Sequence, residues 1–302
     1  MTHTEVVEKL RGVFPPLVTP MNRRGGLDEG AFRANLRRYA ASGLSGAVVA
    51  GSTGEAPFLT EAERLRLVEI ARSIIKPPKL LIAGTGLEST AQTTKLSREA
   101  IARGADAVLL LPPAYYKAAM NPETLSIHFR AVADALRRPI LIYSIPQFTG
   151  YAMDAGMLGK LSRYPNIAGL KESSGNLDFV RAILAKARPG FKLLIGSGLI
   201  FPQGLGEGAA GGILGQSNFA PQLCVAIYEA FSSGDMKTAE ELRQKLLILV
   251  QNVTGPYGIP GIKAALDLVG YRGGNPRPPF MPVSAQVKKK IAAALKQAGV
   301  EG

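Results

Sequence analysis

Ile167-Ala168-Gly169-Leu170-Lys171-Glu172-Ser173-Ser174-Gly175 is a short apolar run that gives way to polar residues at a lysine. It lacks the apolar–polar alternation of a strand wetted on one face, so it reads as a parallel strand buried on both. Runs of the same character occupy residues 12–18, 46–50, 80–83, 107–111, 140–143, 193–195 and 212–214. They recur at intervals suited to a strand–helix–strand unit. Helix starts lie between them. Thr60-Glu61-Ala62-Glu63 and Ser89-Thr90-Ala91-Gln92 read as capping boxes, in which the third side chain reaches back to the cap amide. Asn121-Pro122-Glu123 offers a cap residue, a first-turn proline and an early carboxylate, and residues 27–41 carry apolar positions at helical spacing.

Eight such units predict an α/β fold, a closed (β/α)8 TIM barrel, over residues 1–220. Residues 221–302 exceed one closing helix. They are expected to supply the closing barrel helix and then a three-helix extension over 235–253, 261–268 and 284–298, with a loop at 270–279. A doubly wound open sheet would want a Gly-x-Gly-x-x-Gly turn. The nearest stretch, Gly84-Thr85-Gly86-Leu87-Glu88-Ser89, has serine at the third glycine and no evident ribose carboxylate.

Composition narrows the function classes. The 302 residues are 46% hydrophobic with a single cysteine, Cys224, which excludes a disordered chain or a disulfide scaffold and points to a reducing compartment. The apolar runs are too short to span a membrane, and Met1 to Lys9 lack a signal-peptide pattern, so a cytoplasmic protein with no membrane partner is expected. The formal charge of +13 is spread over doublets such as Arg23-Arg24, Arg37-Arg38 and Arg137-Arg138, and only Lys288-Lys289-Lys290 forms a run. Solvated helix faces account for that pattern. No nucleic-acid partner is expected, and the charge acts as a weak field for small anions.

In such a barrel, chemistry sits where strands end and loops begin. Lys79 and Lys192 precede their runs, whereas Lys171 follows its own and so lies at the functional mouth. Desolvation at a barrel mouth favours a free amine, the nucleophile for a ketone carbonyl, although a lysine there can equally snorkel or pair with a carboxylate. Tyr143 ends the neighbouring run and offers a proton carrier. Gly51-Ser52-Thr53-Gly54 combines two glycines, two hydroxyls and exposed amides, a cradle for a small carboxylate or phosphate, or else a plain turn. Gly196-Ser197-Gly198 and Gly211-Gly212 could hold phosphate or merely permit close packing.

Three motifs in chain order resemble the dihydrodipicolinate synthase/N-acetylneuraminate lyase superfamily. They are Gly51-Ser52-Thr53-Gly54-Glu55, Tyr143-Ser144-Ile145-Pro146-Gln147-Phe148-Thr149-Gly150 and Gly169-Leu170-Lys171-Glu172-Ser173-Ser174-Gly175. The resemblance runs through nearly the whole chain. It implies class I aldolase chemistry on pyruvate or another 2-oxo acid, through a lysine Schiff base and without metal or organic cofactor. Lys171 would form the Schiff base and Tyr143 would donate and accept protons. Ser52 and Thr53 would hold the pyruvate carboxylate, with Thr53 linking Tyr143 to Tyr116 in a proton relay. A neighbouring subunit commonly supplies the second tyrosine of the Tyr115-Tyr116 pair, which implies a homotetramer, a dimer of dimers.

Departures from the family pattern bear on the substrate. Phe148 stands where lysine-pathway synthases carry the arginine for the second carboxylate. Leu199-Ile200 replaces the acidic residues with which sialic-acid lyases hold sugar hydroxyls. Tyr143-Ser144-Ile145-Pro146, Gly258-Ile259-Pro260-Gly261-Ile262-Lys263 and Gly270-Tyr271-Arg272-Gly273-Gly274 look most like 4-hydroxy-2-oxoglutarate aldolase, although Thr53 departs from its usual Gly-Ser-Asn-Gly-Glu loop. The expected reaction is therefore cleavage of 4-hydroxy-2-oxoglutarate to pyruvate and glyoxylate. The alternatives are 4-hydroxy-tetrahydrodipicolinate (dihydrodipicolinate) synthesis from pyruvate and aspartate semialdehyde, a 2-keto-3-deoxy sugar-acid aldolase, and, from another class, a non-catalytic 2-oxo-acid binding protein. Ser173, on the lysine's face of the strand, is assigned to the substrate's second carboxylate or 4-hydroxyl. Gly196 and Ile213, on the last two runs, complete the expected substrate-binding set. His3, by a chain end expected to be loose, His128, inside a helix, and Cys224, in an apolar stretch, are assigned no chemistry.

Overall fold

The computed structural model describes residues 1–300. The apolar runs form eight parallel strands: β1 (Gly12–Phe14), β2 (Gly46–Val49), β3 (Leu80–Gly84), β4 (Ala107–Leu110), β5 (Ile140–Ser144), β6 (Ile167–Glu172), β7 (Lys192–Ile195) and β8 (Gly211–Ile213). From β2 to β8 each pairs with its neighbour in sequence, and β1 pairs with β8. Ser45 N donates to Val13 O (2.9 Å) and Leu17 N to Val48 O (2.8 Å), which joins β1 to β2 and closes the (β/α)8 barrel.

Helix α1 (His3–Lys9) precedes β1. Around the barrel follow α2 (Glu29–Ala40), α3 (Glu61–Ile74), α4 (Thr90–Ala102), α5 (Pro122–Ala135), the short α6 (Pro146–Thr149), α7 (Ala155–Leu161), α8 (Leu177–Lys186) and α9 (Phe201–Gly206). Next come α10 (Pro221–Ser232) and the extension, α11 (Met236–Leu249), α12 (Gly255–Leu268) and α13 (Ala285–Gln297).

Strand alternation produces two apolar layers. Phe14, Val48, Ile82, Leu109, Leu141, Tyr143, Leu194 and Ile213 fill the barrel interior, which Val6 and Leu10 plug at the strands' amino ends. The complementary residues pack outward against the helices. Thr60 and Glu63 form their capping box, and Asn121 caps α5 by accepting from Thr124 N (2.9 Å).

Three details differ from expectation. The first residues are not loose: Thr2 and Glu5 form a capping box, and Val6 is buried. Ser89 caps α4, but Gln92 turns to the Ser89 hydroxyl (3.1 Å) rather than to its amide. Residues 254–260 do not separate two helices. The chain runs from α11 through a π-helical stretch, Val250–Thr254, into α12. Gly258 (φ 49°, ψ −136°) then bends α12 just before Pro260, whose missing N–H and preceding-residue restriction call for such a break.

Candidate active site

β5 and β6 build the centre of the site through their register, in which Tyr143 lies opposite Lys171. Both project into the barrel and each is only 3% exposed. Lys171 Nζ sits 3.9 Å from the centroid of the Tyr143 ring. No carboxylate of the described residues pairs with this amine. The snorkelling and ion-paired alternatives are thereby removed: the amine is enclosed, without a counter-anion, against a phenol ring.

The β2 end supplies the second wall. Ser52 to Gly54 make one tight helical turn, and Ala50 (φ 52°) and Glu55 (φ 60°) flank it in the left-handed region. A cavity of about 660 Å³ opens from this turn, and Gly51, Ser52, Tyr143, Gln147 and Phe148 line it. Ser52 thus shares a wall with Tyr143, whereas Thr53 does not line the cavity. Tyr116 lies outside it as well, 72% exposed, with its ring edge-on to Tyr115 at 5.0 Å.

Ser173 is buried, and its hydroxyl has no hydrogen-bond partner among the described residues. Gly196 makes room for it: a Cβ there would lie 1.8 Å from Ser173 Oγ. Gly196 therefore acts through the space it leaves, and neither it nor Ser173 lines the cavity. Ile213 is fully buried in the barrel interior, in the same apolar layer as Tyr143. The alternation that turns Lys171 inward turns Glu172 outward, where burial raises its carboxyl above the usual range while Ser174 N donates to it (2.6 Å).

Several cavity residues carry no assignment from the sequence, Gln147, Ile259 and Phe280 among them. Gln147 stood inside a quoted motif, and its Nε2 donates to Ser173 O (2.6 Å). Ile259 and Phe280 come from the C-terminal extension, which a strand count alone treats as an appendix. His128 and Cys224, to which the sequence assigns no chemistry, are both buried. Burial pushes His128 down to about 4, with Nδ1 2.9 Å from Thr90 Oγ1, and raises the Cys224 thiol.

The sequence model of the Dihydrodipicolinate synthetase family matches residues 9–298. The chain belongs to that family. It is 37% identical to the 4-hydroxy-tetrahydrodipicolinate synthase of Methanopyrus kandleri over 295 residues, 97% of each chain. It is 36% identical to the protein of the same name from Phenylobacterium zucineum, across 96% of this chain and 98% of that one. Among solved structures, YagE, a prophage protein of E. coli K12 in complex with pyruvate, superposes with a TM-score of 0.91 at 27% identity, covering 96% of this chain and 99% of that one. The chloride-inhibited dihydrodipicolinate synthase of Acinetobacter baumannii, complexed with pyruvate, gives 0.89 at 28%, covering 96% and 99%.

Membership of the Dihydrodipicolinate synthetase family makes the protein a pyruvate-dependent class I aldolase, a carbon–carbon lyase. The similar proteins are 4-hydroxy-tetrahydrodipicolinate synthases, which favours that alternative over 4-hydroxy-2-oxoglutarate cleavage. The local motifs that suggested cleavage are short, whereas the likeness to the synthases extends over the whole barrel and its extension. No helix of the described residues is long and apolar enough to cross a membrane.

Proposed function

We propose that the protein is a cytoplasmic 4-hydroxy-tetrahydrodipicolinate synthase that condenses pyruvate with aspartate semialdehyde through a Schiff base on Lys171, with neither metal nor organic cofactor. The observation that carries this is the enclosed Lys171 amine, unpaired and 3.9 Å from the Tyr143 ring. Ser52 and the amides of its turn hold the pyruvate carboxylate. Lys171 Nζ attacks C2, and Tyr143 supplies the proton with which water leaves. The resulting iminium withdraws electrons, so a C3 proton is lost and the enamine attacks the aldehyde carbon. Tyr143 protonates the new alkoxide, and the amino group brought by aspartate semialdehyde adds to C2 and closes the ring, so that the C2–Nζ bond breaks and Lys171 leaves as the free amine. Ser52 takes the relay part expected of Thr53, because it shares the wall with Tyr143. The assembly is a homotetramer in which a neighbouring subunit meets the exposed Tyr115–Tyr116 pair.

A second reading, a 2-keto-3-deoxy sugar-acid aldolase, draws on Phe148. This side chain is 65% exposed on the cavity wall and gives no cation to a second carboxylate, which suits an uncharged aldehyde.

Borohydride reduction in the presence of pyruvate tests the chemistry. Mass spectrometry should find the added pyruvyl group on Lys171, and an adduct elsewhere, or none, defeats the Schiff-base reading. Turnover with aspartate semialdehyde should exceed cleavage of a 2-keto-3-deoxy sugar acid and of 4-hydroxy-2-oxoglutarate. Faster cleavage of either would replace the synthase assignment.

A further inference from the structure

Glu55 closes the Ser52–Gly54 turn in a conformation that side-chain-bearing residues rarely adopt (φ 60°, ψ 34°). Such a backbone persists only when its surroundings over-determine it. Those surroundings come from the far end of the chain. The Glu55 carboxylate is fully enclosed, forms an ion pair with Lys263 of α12 and accepts from Arg277 N (2.7 Å). Lys263 is equally enclosed, and its remaining protons go to Thr19 O (2.8 Å) and Asn275 O (2.7 Å). Thr19 Oγ1 in turn donates to Gly54 O (2.7 Å). The turn that carries Ser52 is therefore fastened to the extension by a buried charge pair and its hydrogen bonds. A buried ion pair is a poor device for stability alone, because desolvating two charges offsets most of their attraction. Its sharper use is to fix one geometry.

We propose that Lys263 and Glu55 are positioning residues: the C-terminal extension, through this ion pair, sets the Ser52 turn in the shape that receives the pyruvate carboxylate. The inference rests on the proposed role of Ser52. It makes the extension part of the pyruvate-binding apparatus, although Lys263 itself does not line the cavity.

Two variants test it. Lys263→Met removes the cation and leaves Glu55 uncompensated. Glu55→Gly removes the carboxylate while suiting the left-handed backbone, so it retains the turn's local preference without its anchor. For wild type and both variants, pyruvate affinity is measured by calorimetry, and the borohydride-trapping rate is followed against pyruvate concentration. Both variants should need about tenfold or more pyruvate for half-saturation, since a misplaced binding group carries penalties of that order, with the saturated trapping rate near wild type. A purely structural staple would lower the thermal midpoint and leave half-saturation alone, and that result overturns the proposal.

Should Lys263→Met fail to fold, Glu55→Gly decides: unchanged half-saturation overturns the positioning role and raised half-saturation supports it. The two levels of argument also separate. A wild type that binds pyruvate but gives no Lys171 adduct, with affinity lost in the variants, sinks the Schiff base and leaves the positioning role. Adducts on all three proteins with equal half-saturation do the reverse, and a wild type that does not bind pyruvate overturns both.

Discussion

At the scale of single residues, the centre is a lysine and a tyrosine made to face each other by strand register, and their roles differ in a measurable way. In the proposed mechanism Lys171 forms the covalent bond, and Tyr143 moves protons around it. Tyr143→Phe keeps the ring against Lys171 Nζ and removes only the hydroxyl. Steady-state turnover should fall about 10²- to 10⁴-fold, the usual range for a general acid–base group, while borohydride with pyruvate still labels Lys171 on long incubation. Near-wild-type turnover would mean that another group carries the protons. Both residues were legible in the sequence, because each ends an apolar run. Which of Ser52 and Thr53 lines the cavity was not: adjacent hydroxyls in a turn diverge by an amount that only the backbone path reveals, and Ser52 is the one on the wall. The same holds for Gly196, whose purpose is to leave space for a hydroxyl two strand positions beyond Lys171.

At the scale of elements, the ends of helices were readable and their distant partners were not. Thr60 and Glu63 announce the start of α3 within four residues, yet Glu63 also takes both arms of the Arg277 guanidinium, at 2.7 and 2.8 Å, from beyond α12. Arg277 further donates to Phe58 O (2.6 Å), so one side chain clamps the extension to the segment that follows the Ser52 turn. The Arg277 guanidinium holds the Glu63 carboxyl below its ordinary value of 4.5. A depressed folded-state value contributes stability that is complete above the unfolded value and is lost as pH falls through the folded one. Glu63→Gln should therefore lower the urea-unfolding free energy by about 1–3 kcal/mol at neutral pH, and the gap to wild type should narrow on acidification below the ordinary carboxylate range. A gap independent of pH would show that the charge contributes nothing. The bend in α12 belongs to the same scale. Gly258 and Pro260 foretell a break, but only packing decides that the helix resumes at once.

At the scale of the whole molecule, a single chain leaves two aromatic rings, Tyr115 and Tyr116, 78% and 72% exposed beside the cavity's loops. Sedimentation equilibrium should return a mass four times that of the 32.0 kDa chain, and a monomer retaining full turnover would sink the proposed assembly. By itself the sequence determined the barrel, its strand count, the lysine and tyrosine at its mouth and the hydroxyl-bearing turn opposite, because these follow from apolar runs, caps and chain order, all of which act locally. Only the tertiary structure decided which hydroxyl faces the cavity and which glycine makes room. It alone showed that the surplus beyond the eighth strand builds part of the cavity wall and fastens the Ser52 turn. Contacts such as Lys263 to Thr19, 244 residues apart, depend on how the closed barrel brings distant segments together, and no local pattern records that.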